Sequence, residues 1–577
     1  MVTFAPKFFT HFLKTTSKKN VQIFVQHLVA HGLRFVVCSP GSRNAPLVIA
    51  FNQHPQIKCI VIPDERSAAF YALGMAQHTK DFVAVVCTSG SAALNYYPAI
   101  AESFYQSVPL IVITADRPEE WVNQGDGQTI VQKDVFKNHI LFSETLPENK
   151  QDAISEWLIR RIVGEGISFL NGGLIGPIHF NVPLSEPLYD QLELDQFNEP
   201  VILQKIVLSA HLNESQKVAL QNTWRQSTKK MVLVGQHKPD LQLQNLLNQL
   251  SEDPSVIILT EHTSNMYLEK GISTIDRTLE RIELSTQFDY RPEILVVLGG
   301  AIVSKRIKTL LRKFQPDMTW KVGYEFPFMD TYQSLNQTFE MNPIDFMATF
   351  VSLETKSDYA ESWFSLQATA SKLATEFLGG LETLSDLKVV EQVVGRIPEN
   401  SHLHLANSSV IRYALLMNPS SKITYWCNRG TSGIDGSSST ACGSAIIAKT
   451  EIHTLITGDI SFFYDSNAFW NNLKLPNLRV ILINNGGGGI FKIIPGPDTT
   501  EELDDFFVYD QKYSAEHVCK TFNIKYTSIN ELSQLNTELN SFFDEDIDGH
   551  PKLMEVFTPK EENSKILTNY FKFLKPI

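Results

Sequence analysis

Along most of this chain the short runs of aliphatic and β-branched residues are continuous rather than alternating, and helical stretches separate them. Residues 35–38, 57–62, 82–87 and 110–113 are of this kind, with small-residue helical stretches at 67–77 and 91–106. A strand that is apolar throughout must be covered on both faces, which is the situation of a parallel sheet between layers of helices. The pattern returns at 231–234, 256–259 and 294–298, and again at 402–405, 423–427, 454–457, 479–483 and 553–557. Residues 176–183 look like the closing strand of the first block, and the polar stretch 184–200 reads as a linker. A largely helical connection covers about residues 345–395. A chain of 577 residues, at ~150 residues per domain, has room for three or four cores. The expected class is α/β, with three consecutive doubly wound parallel-sheet domains.

Two of these runs end in residues that carry chemistry. Residues 454–457 give way to Gly458-Asp459-Ile460-Ser461, and residues 479–483 to Asn484-Asn485-Gly486-Gly487. Both sit where a parallel strand passes into its loop, the place where open α/β sheets bind ligands. Asp459 supplies a hard carboxylate and Asn485 a hard amide oxygen, while the glycines let backbone groups approach closely. Mg²⁺ takes such oxygens and completes its octahedron with waters and phosphates. Either dipeptide alone is an ordinary turn; the two together read as a metal–diphosphate anchor. A dinucleotide site is a competing reading of Gly486 to Gly489. No G-x-G-x-x-G stands there, however, and no acid follows at the usual offset.

Other candidates are set by position. Glu65 follows Pro63 and opens a helix, where an acid on its own gains about 0.3–1 kcal/mol from the helix dipole. Arg43, Arg117, Arg429 and the pair Lys305-Arg306 follow strand-like runs, and Ser408 and Arg412, four apart, share a helix face. A single surface arginine is usually a solvated charge. A set of them at strand ends suits dicarboxylates, which guanidinium grips through two parallel hydrogen bonds. The net charge of −13 argues against a nucleic-acid partner. Six cysteines lack zinc-like spacing and read as free buried thiols, and the fifteen histidines show no metal-ligand spacing. No apolar run reaches the ~20 residues of a membrane span, and no signal peptide is evident, so a cytoplasmic protein is expected.

Three such blocks, with Gly-Asp and Asn-Asn in the third, resemble the pyruvate-oxidase-like thiamine diphosphate enzymes. Within them, Ser39-Pro-Gly-Ser-Arg43, Asp64-Glu65-Arg66, Thr114-Ala-Asp-Arg117-Pro118, the run from Asn428 to Gly436 and the run from Asn484 to Phe491 are similar to one family. That family is the 2-succinyl-5-enolpyruvyl-6-hydroxy-3-cyclohexene-1-carboxylate synthases of menaquinone biosynthesis, and the similarity spans residues 20–577. One departure is Ile460, where many relatives carry a third glycine.

The resemblance implies a pyrimidine-binding domain at 1–190, a central domain at 200–350 and a diphosphate-binding domain at 375–577. It implies thiamine diphosphate with Mg²⁺ or Mn²⁺ held by Asp459, Asn485 and the carbonyl of Gly487. Glu65 would share a proton with the aminopyrimidine and be the catalytic acid–base. Ile434 would wedge the cofactor into a bent shape, and Gly458, Ser461 and Ile490 would line it. Arg43, Arg117, Gln128, Lys305, Arg306, Ser408, Arg412, Arg429 and Phe491 would bind 2-oxoglutarate and isochorismate. A homodimer or homotetramer with sites between subunits follows from the same family. A different thiamine enzyme, acetolactate-synthase-like or a simple decarboxylase, is the alternative; its one-carboxylate substrates do not call for so many basic loops.

Overall fold

The computed structural model describes residues 13–79, 81–148, 152–171, 173–194, 200–493, 496–544 and 548–576. The chain forms two compact units, Met1–Ile206 and Val207–Ile577. The first unit carries strands β1 (Leu13–Thr16), β2 (Leu33–Cys38), β3 (Lys58–Val61), β4 (Phe82–Cys87), β5 (Ile111–Asp116), β6 (Phe142–Thr145), β7 (Ile178–Pro183) and β8 (Gln191–Leu194). Six of them form one sheet in the order β3-β2-β4-β5-β7-β6, with every pairing parallel. All residues of β5 and nearly all of β4 are buried, as continuous apolar runs require.

The second unit holds two more parallel sheets. One is built from β9 (Lys230–Val234), β10 (Val256–Thr260), β11 (Ile294–Leu298), β12 (Met318–Val322) and β13 (Leu335–Phe339), in the order β10-β9-β11-β12-β13. The other uses β14 (Ser401–Leu405), β15 (Ile423–Trp426), β16 (His453–Gly458), β17 (Leu478–Asn484), β18 (Lys525–Ile529) and β19 (Lys552–Phe557), in the order β15-β14-β16-β17-β19-β18. The expected α/β class with three doubly wound parallel sheets is therefore what the chain adopts. In the third sheet the strand order reverses between β14 and β16, so the loops after these two strands flank the crevice where such sheets bind ligands. In the middle sheet the equivalent crevice, between β9 and β11, is closed by backbone. A Cβ on Gly235 would lie 2.1 Å from the Gly300 carbonyl oxygen, and Gln236 and Gly300 continue the pairing past the strand ends.

The differences from the sequence reading lie mainly at sheet edges. Residues 184–200 are not only a linker, because β8 pairs antiparallel with β1. Strand β7 is the last of the six in chain order, but in the sheet it lies between β5 and β6 rather than at the edge. The unforeseen strands β6, β13 and β18 are edge strands with polar residues on an open side, so they carry no apolar run. In β12 the run is interrupted by Lys321, which is 2% exposed and reaches the Gly299 carbonyl at 2.9 Å.

Trp224, on helix Glu214–Gln226, shows how the middle core is held. It is fully buried and stacks on Phe350 at 4.4 Å, with the Lys230 ammonium 5.0 Å from its ring. Trp224→Ala should cost about 3–5 kcal/mol of stability, as large buried aromatics do, measured by urea denaturation. Trp224→Phe keeps a stacked ring and drops an indole N–H that has no partner among the described residues, so it should lose much less.

Candidate active site

The two anchor loops leave neighbouring strands, with Gly458 of β16 opposite Ile483 of β17. Asp459 opens helix Asp459–Tyr464 and is 2% exposed. One of its oxygens accepts the Ile460 amide at 2.7 Å and the other the Gly487 amide at 2.9 Å. Burial pushes its carboxyl up to about 7, and nearby Asp386 adds to the effect. Asp386 in turn accepts from Asn485 Nδ2 at 2.8 Å, Thr558 Oγ1 at 2.6 Å and Asn563 Nδ2 at 2.9 Å, and burial raises its pKa too. Donating its nitrogen to Asp386 leaves Asn485 with its oxygen as the free end of the amide. Two buried acids stand together here, and among the described residues neither has a cationic partner. That donor set, all oxygen and electrically unbalanced, fits a hard divalent cation.

Gly487 could be no other residue. Its φ is 143°, and a Cβ there would sit 2.5 Å from the Tyr509 carbonyl oxygen and 2.7 Å from that of Val508. Its own carbonyl, the expected third ligand, accepts the Gly489 amide at 2.9 Å. Beyond it, Ile490 and Phe491 lie in a short 3₁₀ turn, Gly489–Lys492, with Phe491 tilted against Phe507 at 5.9 Å.

The string from Asn428 to Gly436 is held by a residue the sequence reading passed over. Asn407, at the end of β14, donates to the carbonyls of Asn428 at 2.6 Å and Gly433 at 2.7 Å, and accepts Arg429 Nη1 at 2.7 Å. Ser461 donates to the Ile434 carbonyl at 2.6 Å and pairs with Ser437 at 3.0 Å. Ile434 itself is 36% exposed, an apolar side chain presented rather than packed. Ser438, in the first turn of helix Ser437–Ile447, is buried with a hydroxyl that has no partner among the described residues. An open apolar wedge, a free buried hydroxyl and an acidic loop pair on one sheet edge fit a cofactor that carries both rings and diphosphate.

Cations meet at a cavity of about 550 Å³ in the same unit, lined by Lys305, Arg306, Arg412, Ser409 and Asp276 among others. Lys305 and Arg306 open helix Lys305–Lys313 after β11. Arg412 lies on helix Ser409–Ala414, whose N-cap is Ser408, and donates to the Ser408 carbonyl. Burial and the neighbouring charge of Arg429 lower the Arg412 pKa, so the guanidinium is crowded by like charge. Arg306 is already engaged by Glu280 and lies over the Phe571 ring at 4.1 Å. Glu280 and Asp276 carry no local sequence signal, because which acid meets which cation depends on the loops the topology brings together.

The first unit assembles a second group. Arg43 follows β2, is 5% exposed, donates to the Leu184 carbonyl at 2.8 Å and pairs with Glu186 at 3.2 Å. Burial, then the charge of Arg117, lowers its pKa. Arg117 donates to the Gly127 carbonyl at 3.0 Å and pairs with Asp126 at 2.6 Å. This brings it to the loop that carries Gln128, whose φ is 56°. Glu65 opens helix Glu65–His78 behind the N-cap Asp64. It is half-buried, and burial raises its pKa.

Comparison with known proteins agrees with this frame. Residues 18–137 match the model of the thiamine pyrophosphate enzyme N-terminal TPP binding domain, and residues 197–405 that of the middle domain of thiamine pyrophosphate enzymes. A 2-succinyl-5-enolpyruvyl-6-hydroxy-3-cyclohexene-1-carboxylate synthase of Flavobacterium johnsoniae is 41% identical, covering 96% of this chain and 98% of its own. The synthase of the same name from Christiangramia forsetii is also 41% identical, over 95% and 97%. That of Bacteroides thetaiotaomicron is 36% identical, over 97% and 99%. With near end-to-end similarity on a three-sheet frame, the chain belongs to the 2-succinyl-5-enolpyruvyl-6-hydroxy-3-cyclohexene-1-carboxylate synthase family of thiamine diphosphate-dependent enzymes.

Proposed function

We propose that the protein decarboxylates 2-oxoglutarate and joins the remaining four-carbon unit to isochorismate by 1,4-addition. The products are 2-succinyl-5-enolpyruvyl-6-hydroxy-3-cyclohexene-1-carboxylate and CO₂, a step of menaquinone biosynthesis in the cytoplasm. Both substrates are dicarboxylates. The observation that carries the reading is the meeting of Lys305 and Arg306 from the middle sheet with Arg412 from the third at one cavity. Thiamine diphosphate, when bound, supplies the electron sink that makes loss of CO₂ feasible. The chain contributes binding, orientation and one proton.

Asp459, Asn485 and the Gly487 carbonyl are the proposed ligands of Mg²⁺ or Mn²⁺, with Gly458 and Ser461 beside the diphosphate. Ile434 and Ile490 would set the cofactor's bend. Glu65, its pKa raised by burial, suits sharing a proton with a ring nitrogen of the pyrimidine. Arg43, Arg117, Gln128, Arg429, Ser408 and Phe491 complete the substrate contacts. The working form is a homodimer or homotetramer whose sites draw on two subunits.

The direct test is CO₂ release from 2-oxoglutarate, dependent on isochorismate, thiamine diphosphate and Mg²⁺. Asp459→Ala should abolish calorimetric cofactor binding in Mg²⁺ while circular dichroism stays that of the parent; parent-like affinity would remove Asp459 from the metal site. Glu65→Gln keeps size and one hydrogen bond but cannot relay the proton. Bound cofactor should then exchange its thiazolium C2 proton more slowly by at least the ~10²–10⁴-fold usual for a positioned acid–base group, followed by NMR. Arg412→Ala discards a charge-assisted pair worth roughly 1.5–3 kcal/mol. It should lose one to two decades of kcat/KM for 2-oxoglutarate, by the ~1.4 kcal/mol-per-decade conversion, and almost none for pyruvate. An unchanged ratio of the two substrates would take Arg412 off the distal carboxylate.

A further inference from the structure

Lys305 and Arg306 owe their position to the two residues before them. Ser304 caps their helix: its Oγ accepts the Ile307 amide at 3.1 Å and donates to Asp276. The amides of Val303 and Ser304 both donate to one carboxylate, Glu261, each at 2.7 Å and each to its own oxygen. Two consecutive amides on two oxygens fix the direction of the backbone as well as its place, and such charge-assisted bonds are roughly twice as strong as neutral ones. Glu261 stands just past β10, 3% exposed, and is itself anchored. Its amide donates to Ser264 Oγ at 2.9 Å, and that hydroxyl donates to the Val234 carbonyl at 2.6 Å. The rigid end of the middle sheet is thus tied to the start of the helix that brings two cations to the cavity. Glu261 is absent from the cavity wall.

We infer that Glu261 is a positioning residue for substrate binding: its double grip on Val303 and Ser304 sets where Lys305 and Arg306 meet the anionic substrates. This rests on the synthase reading of the site. The groups that face Glu261 are Asp276, which opposes its charge, Arg429, which favours it, Lys308 and Tyr332. Burial is the largest influence and pushes the carboxyl up to about 7. Only the ionised form offers an acceptor to both amides. The double grip is therefore complete above that value, and as pH falls through it the protonated oxygen becomes a donor and one of the two bonds is lost, so substrate KM should rise toward acid.

The test uses the full chain with thiamine diphosphate and Mg²⁺. In Glu261→Gln the amide nitrogen faces a backbone N–H, breaking one of the two bonds. KM for 2-oxoglutarate or isochorismate should rise about tenfold, the effect of losing one hydrogen bond to a charged group. The kcat and the cofactor's calorimetric affinity should change little, and the acid-side rise in KM should vanish. Unchanged KM values and pH profile, or a parallel fall of KM performance, kcat, cofactor affinity and melting temperature, would overturn the inference. Should Glu261→Gln fail to fold, Glu261→Asp, which keeps the charge but draws it back, should raise KM in the same way while the acid-side rise in KM persists. Glutarate, with both carboxylates and no keto group, separates the two levels of argument when titrated calorimetrically. Weaker glutarate binding in the variant supports the positioning role even if the parent releases no CO₂ from 2-oxoglutarate, a result that would end only the synthase reading. Equal glutarate binding in parent and variant counts against Glu261 whatever the activity.

Discussion

A strand hydrogen-bonded in parallel on both sides cannot turn back on its neighbour; it leaves the sheet through a crossover, and every strand of that sheet leaves by the same edge. Most residues assigned to the site obey this geometry. Asp459 stands after β16, Asn485 after β17, Asn407 and Ser408 after β14, Arg429 after β15, and Lys305 and Arg306 after β11. The crossovers place these loops side by side, so Asp459 and Gly487, 28 apart in sequence, become neighbours without any long-range design of their own. The reversal of strand order between β14 and β16 opens the gap into which the loops converge.

What refines the geometry is a small number of buried acids. Asp386 turns the Asn485 amide, Glu261 holds the start of a cationic helix, and Glu280 engages Arg306. Each accepts from groups whose direction matters more than their charge. A buried carboxylate is costly unless its oxygens are satisfied, and satisfying them with amides or guanidinium groups immobilises those partners. The site is accordingly stiff where it must place hard oxygens. It presents its apolar member, Ile434, on a backbone pinned by Ser461.

The parallel sheets were legible because their interior strands are apolar from end to end, and the loop pair was legible because Gly-Asp and Asn-Asn-Gly follow two of them. The edge strands β6, β13 and β18 were not, since a strand with one open side need not be apolar. Strand β12 escaped because buried Lys321 breaks its pattern while finding a carbonyl partner. Among site residues, Asn407 and Glu261 had a weak signal, a polar residue just past a strand end. Asp386 had none. Asp386 lies 99 residues from Asn485 and Glu261 lies 42 from Val303, and no local pattern encodes a hydrogen bond across such intervals. The acids that engage Arg43, Arg117 and Arg306 were equally silent, because ion pairing depends on which loops the topology brings together.

The sealed crevice of the middle sheet bears on how this chain divides its labour. Gly235 and Gly300 meet backbone to backbone at the point where a doubly wound sheet ordinarily admits a ligand, so the C-terminal edge of that sheet has no guest of its own to accommodate. The middle sheet works as a jig, a fixed surface from which Lys305 and Arg306 are held out to the cavity that its neighbour's Arg412 also lines.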